Sequence, residues 1–129
     1  MVYFGSPSFL GNDITNMNEE VLEIITNKEL IALNQDKLCK QAEKVYDKND
    51  IEVFLKPLKN GDWGVCILNR SEIEQQFKLN WDHLGIKVNK LLAIRDLWLH
   101  KNLKTFFFIP LFLRIVIKHS YTILYNDYR

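Results

Sequence analysis

Acid–base catalysis by carboxyl groups needs two of them facing one another, held at different proton affinities. Asp13 follows a short apolar segment, Ser8-Phe9-Leu10, and is the one carboxylate placed where a strand of a parallel barrel would end. Such a position reads as catalytic only when other strands converge on it. With a single strand of that kind, capping of local backbone is the expected role. Asp36, Asp47, Asp50, Asp62, Asp82 and Asp96 fall in turns or at strand ends, where a short carboxylate bonds neighbouring backbone. No facing pair emerges, and no catalytic residue is assigned. His83, His100 and His119 are dispersed, without the spacing or carboxylate company of a metal site. Cys39 and Cys66 fit neither zinc nor redox spacing. They could pair in a secreted protein; two reduced thiols are favoured, with Cys66 a small hydrophobe in the run Val65-Cys66-Ile67-Leu68. Neither a metal nor a cofactor is expected. Trp63, Trp81 and Trp98 could form a sugar-stacking platform, but filling a core is the stronger expectation. Asn69-Arg70-Ser71 is a glycosylation sequon, which matters only on a secretory route.

Composition narrows the classes further. A length of 129 residues suits one domain, or a small domain with an appendage. With 47% hydrophobic and 26% charged residues the chain is expected to fold rather than stay disordered. A formal net charge of +1 provides no global field, so neither nucleic acid nor a membrane surface is an expected partner. The first residues lack the basic and apolar regions of a signal peptide, and none is expected. The apolar run from Thr105 to Leu113 is interrupted downstream by Arg114 and Lys118. It falls short of the roughly 20 residues of a membrane helix, so a buried strand pair is expected there.

Two kinds of pattern position these residues. Asn18 before Glu19 and Glu20 is a helix start, and Val21, Leu22, Ile24 and Ile25 give that helix an apolar side. Asn27 can cap a second short helix through Leu33. From about Ala42 the period falls to two. Ile51, Val53 and Leu55 alternate with Glu52, Phe54 and Lys56 until Pro57. The turn signal Lys59-Asn60-Gly61-Asp62 leads into a strand from Trp63 to Asn69, and a third strand carries Phe77, Leu79 and Trp81. Asp82 to Gly85 reads as a helical turn or tight loop. Further strands are expected at Lys90 to Leu97, around Thr105 to Phe112, and from Ser120 to Tyr125. Short strands at this spacing predict an antiparallel sandwich. The helices that precede it cannot form a core of their own. Their apolar sides must use the sandwich or a partner, or stay poorly covered.

Two long stretches carry a more specific resemblance. Ser6-Pro7-Ser8-Phe9-Leu10-Gly11-Asn12-Asp13-Ile14-Thr15-Asn16-Met17 and the run from Leu22 to Asp36, ending Ile31-Ala32-Leu33-Asn34-Gln35-Asp36, resemble the end of the catalytic barrel of glycoside hydrolase family 27. That family contains the α-galactosidases (melibiases) and α-N-acetylgalactosaminidases. Val53 to Asp62, Val65 to Ser71, Trp81-Asp82-His83-Leu84-Gly85 and Arg95-Asp96-Leu97-Trp98-Leu99-His100-Lys101 are similar to the family's C-terminal domain, in the same order. The resemblance runs from Ser6 to about Leu103.

It implies a mainly β chain: a Greek-key-like antiparallel β-sandwich over 39–129, preceded over 1–38 by a strand and short helices left from the end of a (β/α)8 barrel. It implies the hydrolysis of terminal α-D-galactosyl residues by the full-length family, through two aspartates on earlier barrel strands that have no counterpart here. The chain is therefore expected to be non-catalytic and structural, with a carbohydrate-binding or protein-interaction module as the alternative. An α-galactoside is a partner only if the missing barrel is supplied. Docking onto a barrel, or self-association, through Val21, Leu22, Ile25 and Ile31 is a further expectation. Family members are typically secreted or lysosomal, which assigns no location to this chain. The family usually has a proline and two glycines after Asp36; here Lys37-Leu38-Cys39-Lys40-Gln41-Ala42 stands instead, so an altered linker is expected.

Overall fold

The computed structural model describes residues 13, 15–80, 84–85, 92–103, 112–117 and 120–127. Both expected helices form where asparagine side chains start them. The Asn18 side chain accepts from the Val21 amide at 2.8 Å and opens α1 (Glu19–Ile25). Asn27 accepts from the amides of Glu29 and Leu30 and opens α2 (Lys28–Asn34). These caps satisfy amides that have no partner inside a helix.

Among the described residues eight strands follow: β1 (Glu43–Lys48), β2 (Ile51–Pro57), β3 (Trp63–Asn69), β4 (Gln75–Asn80), β5 (Leu92–Asp96), β6 (Lys101–Asn102), β7 (Phe112–Ile117) and β8 (Ser120–Asp127). Their pairings are antiparallel, in a six-stranded sheet of order β1-β2-β3-β8-β5-β6 and a two-stranded sheet of β4 and β7. The mainly β, antiparallel architecture read from the sequence is the one observed. Strand β3 matches its expected bounds. Of the expected strand at Thr105 to Phe112, residues 105–111 lie outside the described residues, and the strand described there runs from Phe112 to Ile117. Strand β1 lies within the stretch from about Ala42 in which a period of two is expected. It is joined to β2 by the two-residue turn Asn49-Asp50, in which both residues take positive φ, 53° and 61°, the twist a two-residue hairpin demands. No helix among the described residues is long and apolar enough to cross a membrane.

Strands β2 and β3, at the centre of the large sheet, are covered on both faces. On one, Ile51, Val53, Leu55, Val65, Ile67 and Ile94 meet Phe77 and Leu79 of β4, together with Leu84, in the inter-sheet core. Tyr46 sets its ring 5.3 Å from that of Phe77 at the margin. On the other face, Leu30 and Leu33 of α2 pack with Leu58 and Leu97, flanked by Ala42, Cys66 and Trp98. Gly64 makes that approach possible: a Cβ there would lie 2.8 Å from Cδ1 of Leu33. Residues on both sides of position 38 thus share one apolar layer. The second helix answers the packing problem posed by the sequence; the first does not, for α1 has no buried residue.

The connection from α2 to β1 is tied down at both ends. The Asp36 carboxylate accepts from the amides of Leu38 and, across the β2–β3 turn, Lys59. The wholly buried Lys56 donates from Nζ to the Lys40 carbonyl at 2.6 Å. Between these ties Cys39 takes φ 52°, a left-handed conformation that glycine adopts at little cost and other residues at roughly 1 kcal/mol.

Two outcomes follow from this packing. Leu33→Ala should cost about 2–4 kcal/mol, while Leu33→Ala with Gly64→Ala should cost at least about 0.5 kcal/mol less than the sum of the single changes. Urea unfolding of the four proteins measures the coupling. Cys39→Gly should stabilise the chain by about 0.5–1 kcal/mol, seen as a higher urea midpoint.

Candidate functional site

A polar cluster bridges α2 and the β5–β6 hairpin. Strand alternation sends Ile94 into the inter-sheet core and Arg95 to the opposite face, where α2 lies. There Arg95 Nε and one terminal nitrogen each donate to the Glu29 carboxylate at 2.7 Å, the planar two-pronged geometry of a strong charge-assisted pair. The other terminal nitrogen of Arg95 donates to Asn102 at 2.9 Å, and Nδ1 of His100 lies 2.7 Å from Glu29. The Arg95 hydrogen bonds pull the Glu29 carboxyl from 4.5 down to about 2, against the opposing effect of burial and with help from His100. Beside this cluster Asn27 spans the same junction, donating from Nδ2 to the Leu97 carbonyl at 3.0 Å.

A second cluster lies on β1 and β2. The buried Glu52 accepts from Lys44 and Arg70, both at 3.0 Å, and Lys44 also reaches Asp47. Lys44 and then Arg70 hold the Glu52 carboxyl below its usual range. Lys44, Asp47 and Arg70 are solvent-exposed, so this is an edge network clamping strand to turn.

Asp13, Asp62 and Asp96 make local hydrogen bonds. Asp13 is exposed and accepts from the amide and hydroxyl of Thr15, the hydroxyl first in lowering its pKa. Asp62 pairs with Asn60 in the β2–β3 turn. The carboxylate of Asp96, 1% exposed, takes the amides of Trp98 and Leu99 on Oδ1. Its Oδ2 and the indole nitrogen of Trp98 are buried without a hydrogen-bond partner among the described residues. The expected turn roles of Asp36, Asp62 and Asp96 are thus observed as backbone and turn hydrogen bonds.

Other candidates find ordinary places. Trp63 packs against the inter-sheet core and Trp98 against the layer beneath α2, so each fills space; Trp81, Asp82, His83 and His119 lie outside the described residues. Cys39 is exposed and Cys66 half-buried, and neither is in a disulfide. Asn69 is buried; its Nδ2, the atom that would carry a glycan, donates to the Ile73 carbonyl at 2.7 Å, and its Oδ1 accepts from Ser71. In the folded chain that sequon closes a turn. Among the described residues no group of three or more His, Cys, Asp or Glu could hold a metal ion.

The Glu29–Arg95 pair was not legible in sequence. Its members are 66 positions apart, and only the period of β5, which turns Arg95 away from the core, hints that a partner must lie over that face. A carboxyl whose folded pKa is depressed contributes stability above its unfolded pKa and loses it as pH falls through the folded value. Stability should therefore decline from about pH 5 towards about pH 2 more steeply in the native chain than in Glu29→Gln. The difference is on the order of 1–2 kcal/mol after allowance for exposure of the pair. Urea midpoints of both proteins across that range test it.

Comparison with known proteins fits this geometry. The profile of the alpha galactosidase C-terminal beta sandwich domain matches residues 48–115, just over half of the chain. Alpha-galactosidase A of Cellvibrio japonicus is 42% identical over 79 residues, 61% of this chain and 20% of that protein. The alpha-galactosidase of Cyamopsis tetragonoloba is 38% identical over 95 residues, 74% of this chain and 23% of that one. The chain thus spans about a fifth to a quarter of the length of the curated relatives it matches. The crystal structure of alpha-galactosidase I from Mortierella vinacea superposes on 98% of this chain and 33% of its own length, with a TM-score of 0.85 and 30% identity.

Proposed function

Because the chain belongs to the family of the alpha galactosidase C-terminal β-sandwich domain, we propose that it is the structural C-terminal module of an α-galactosidase-type glycoside hydrolase. In this reading residues 1–38 continue a barrel and residues 39–129 form the sandwich beside it. Hydrolysis of terminal α-D-galactosyl groups belongs to residues of the barrel that have no counterpart here, and an α-galactoside is a substrate only of the two parts together.

The observation that carries this reading is where the carboxylates go. The buried and half-buried ones are committed: Glu29 to Arg95, Glu52 to Lys44 and Arg70, and Asp36, Asp62 and Asp96 to turns. A retaining glycosidase needs one carboxylate free to attack and a second, kept protonated, to donate. Glu29 is pulled the wrong way for a proton donor, to about 2. What the module supplies is a rigid, doubly covered sheet.

A chromogenic α-galactoside offered to the purified full chain should show no turnover above the blank. Turnover that persists through purification and disappears in Asp13→Asn, with the fold intact by circular dichroism, would overturn the reading.

A further inference from the structure

Among the described residues the six-stranded sheet ends on β1 at one side and on β6 at the other, and the two edges differ. Strand β6 has two residues, too few to template another strand. Strand β1 has six. The two-residue turn at Asn49-Asp50 makes Lys48 and Ile51 a hydrogen-bonded pair, so Asp47, opposite Glu52, directs its amide and carbonyl away from β2. Lys44 stands opposite Phe54, two residues on from Glu52, and does the same. The irregularity between Lys44 and Tyr46 places one extra residue, Val45, in β1 and keeps Lys44 and Asp47 on one face, where their side chains meet at 3.0 Å. Outward-facing amides and carbonyls of this kind are a template for a further strand.

Charge decides which strand fits. Laid antiparallel against a copy of itself, about an axis between Val45 and Tyr46, β1 sets Glu43 against Lys48, Lys44 against Asp47 and Val45 against Tyr46. Every charge then faces its opposite, and the central pair joins an aromatic to a β-branched side chain. A slip of one residue in one direction sets Glu43 against Asp47, and in the other direction Lys44 against Lys48. Like charges directly opposite are destabilising, so a single register remains. Glu43, Lys44, Asp47 and Lys48 are exposed, with Val45 and Tyr46 half-buried between them. Lysines and a bulge also guard an edge against indiscriminate pairing, and here they reject strands that lack the matching pattern.

We propose that β1 is a pairing edge whose occupant is β1 of a second copy of this chain, so that two sheets continue into one across a two-fold axis. The proposal goes beyond the functional reading, which needs no second copy. Symmetry makes each cross-strand pair occur twice, and any reversal of one charge therefore acts twice.

The test is sedimentation equilibrium of the full chain at concentrations up to about 1 mM, since a contact of this size belongs to the weak end of protein interfaces. The native chain should dimerise. Glu43→Lys and Lys48→Glu should each weaken the dimer about tenfold, because each sets like charges together at both ends of the strand pair. An equimolar mixture of the two variants sets lysine against glutamate at both ends and should associate as tightly as the native chain. The urea midpoint of each variant should equal the native one, which keeps loss of fold apart from loss of pairing. A native chain that stays monomeric overturns the proposal. So does a dimer that neither reversal weakens, or a mixture that associates no better than its components. A dimer dissolved by Leu22→Glu but by neither reversal places the contact on α1 and is likewise fatal to it.

Discussion

Everything else in this chain depends on the burial of β2 and β3 on both faces. Strands of an antiparallel sheet usually turn one face to the core and one to water, and their sequences alternate accordingly. In β2 the alternation is present, but the residues between the aliphatic ones are not released to solvent: Glu52 and Lys56 are both buried. A sheet of this kind requires a second layer. That layer is α2, seated over Gly64 where the missing side chain lets Leu33 approach the backbone. The helix is therefore part of the sandwich's own core rather than an appendage to it.

Polar chemistry follows from that requirement. Covering a face that carries charged and polar groups means supplying each of them with a partner, because a buried group left unpaired costs more than the bond it might have made. Arg95 finds Glu29, Lys56 finds the Lys40 carbonyl, and Asn27 closes the helix start while reaching Leu97. Each bond also ties a segment before β1 to one after it, so polar satisfaction and mechanical joining are the same event. The carboxylates are drawn into this work, which suits a scaffold better than a catalyst.

Legibility in the sequence tracked the range of the interactions. Asn18 and Asn27 announced their helices because a cap acts within three residues, and Trp63 to Asn69 was bounded by a turn signal at one end. The antiparallel class followed from period and spacing. Glu29 with Arg95, Asp36 with Lys59, and Leu33 against Gly64 were not legible, for each joins distant positions with no local pattern. The Asn69 sequon shows the converse. Its three residues carry a motif, yet in the fold the same side chains bond one another and Ile73 to shape a turn. That Cys39 holds a left-handed backbone was not legible either, because no turn signal surrounds it.

The two helices then divide along a line that sequence similarity does not draw. Resemblance assigns both to the end of a barrel, and by composition they are alike: short, asparagine-capped, with aliphatic residues on one side. Packing separates them. The aliphatic residues of α2 and the Glu29 carboxylate are met by the sheet, so its position is determined by residues of this chain. Among the described residues those of α1 are buried nowhere, and α1 follows α2's position through a single intervening residue. Two helices of one composition thus differ in what holds them: α2 by long-range contacts with the sheet, α1 by its own caps and its junction with α2.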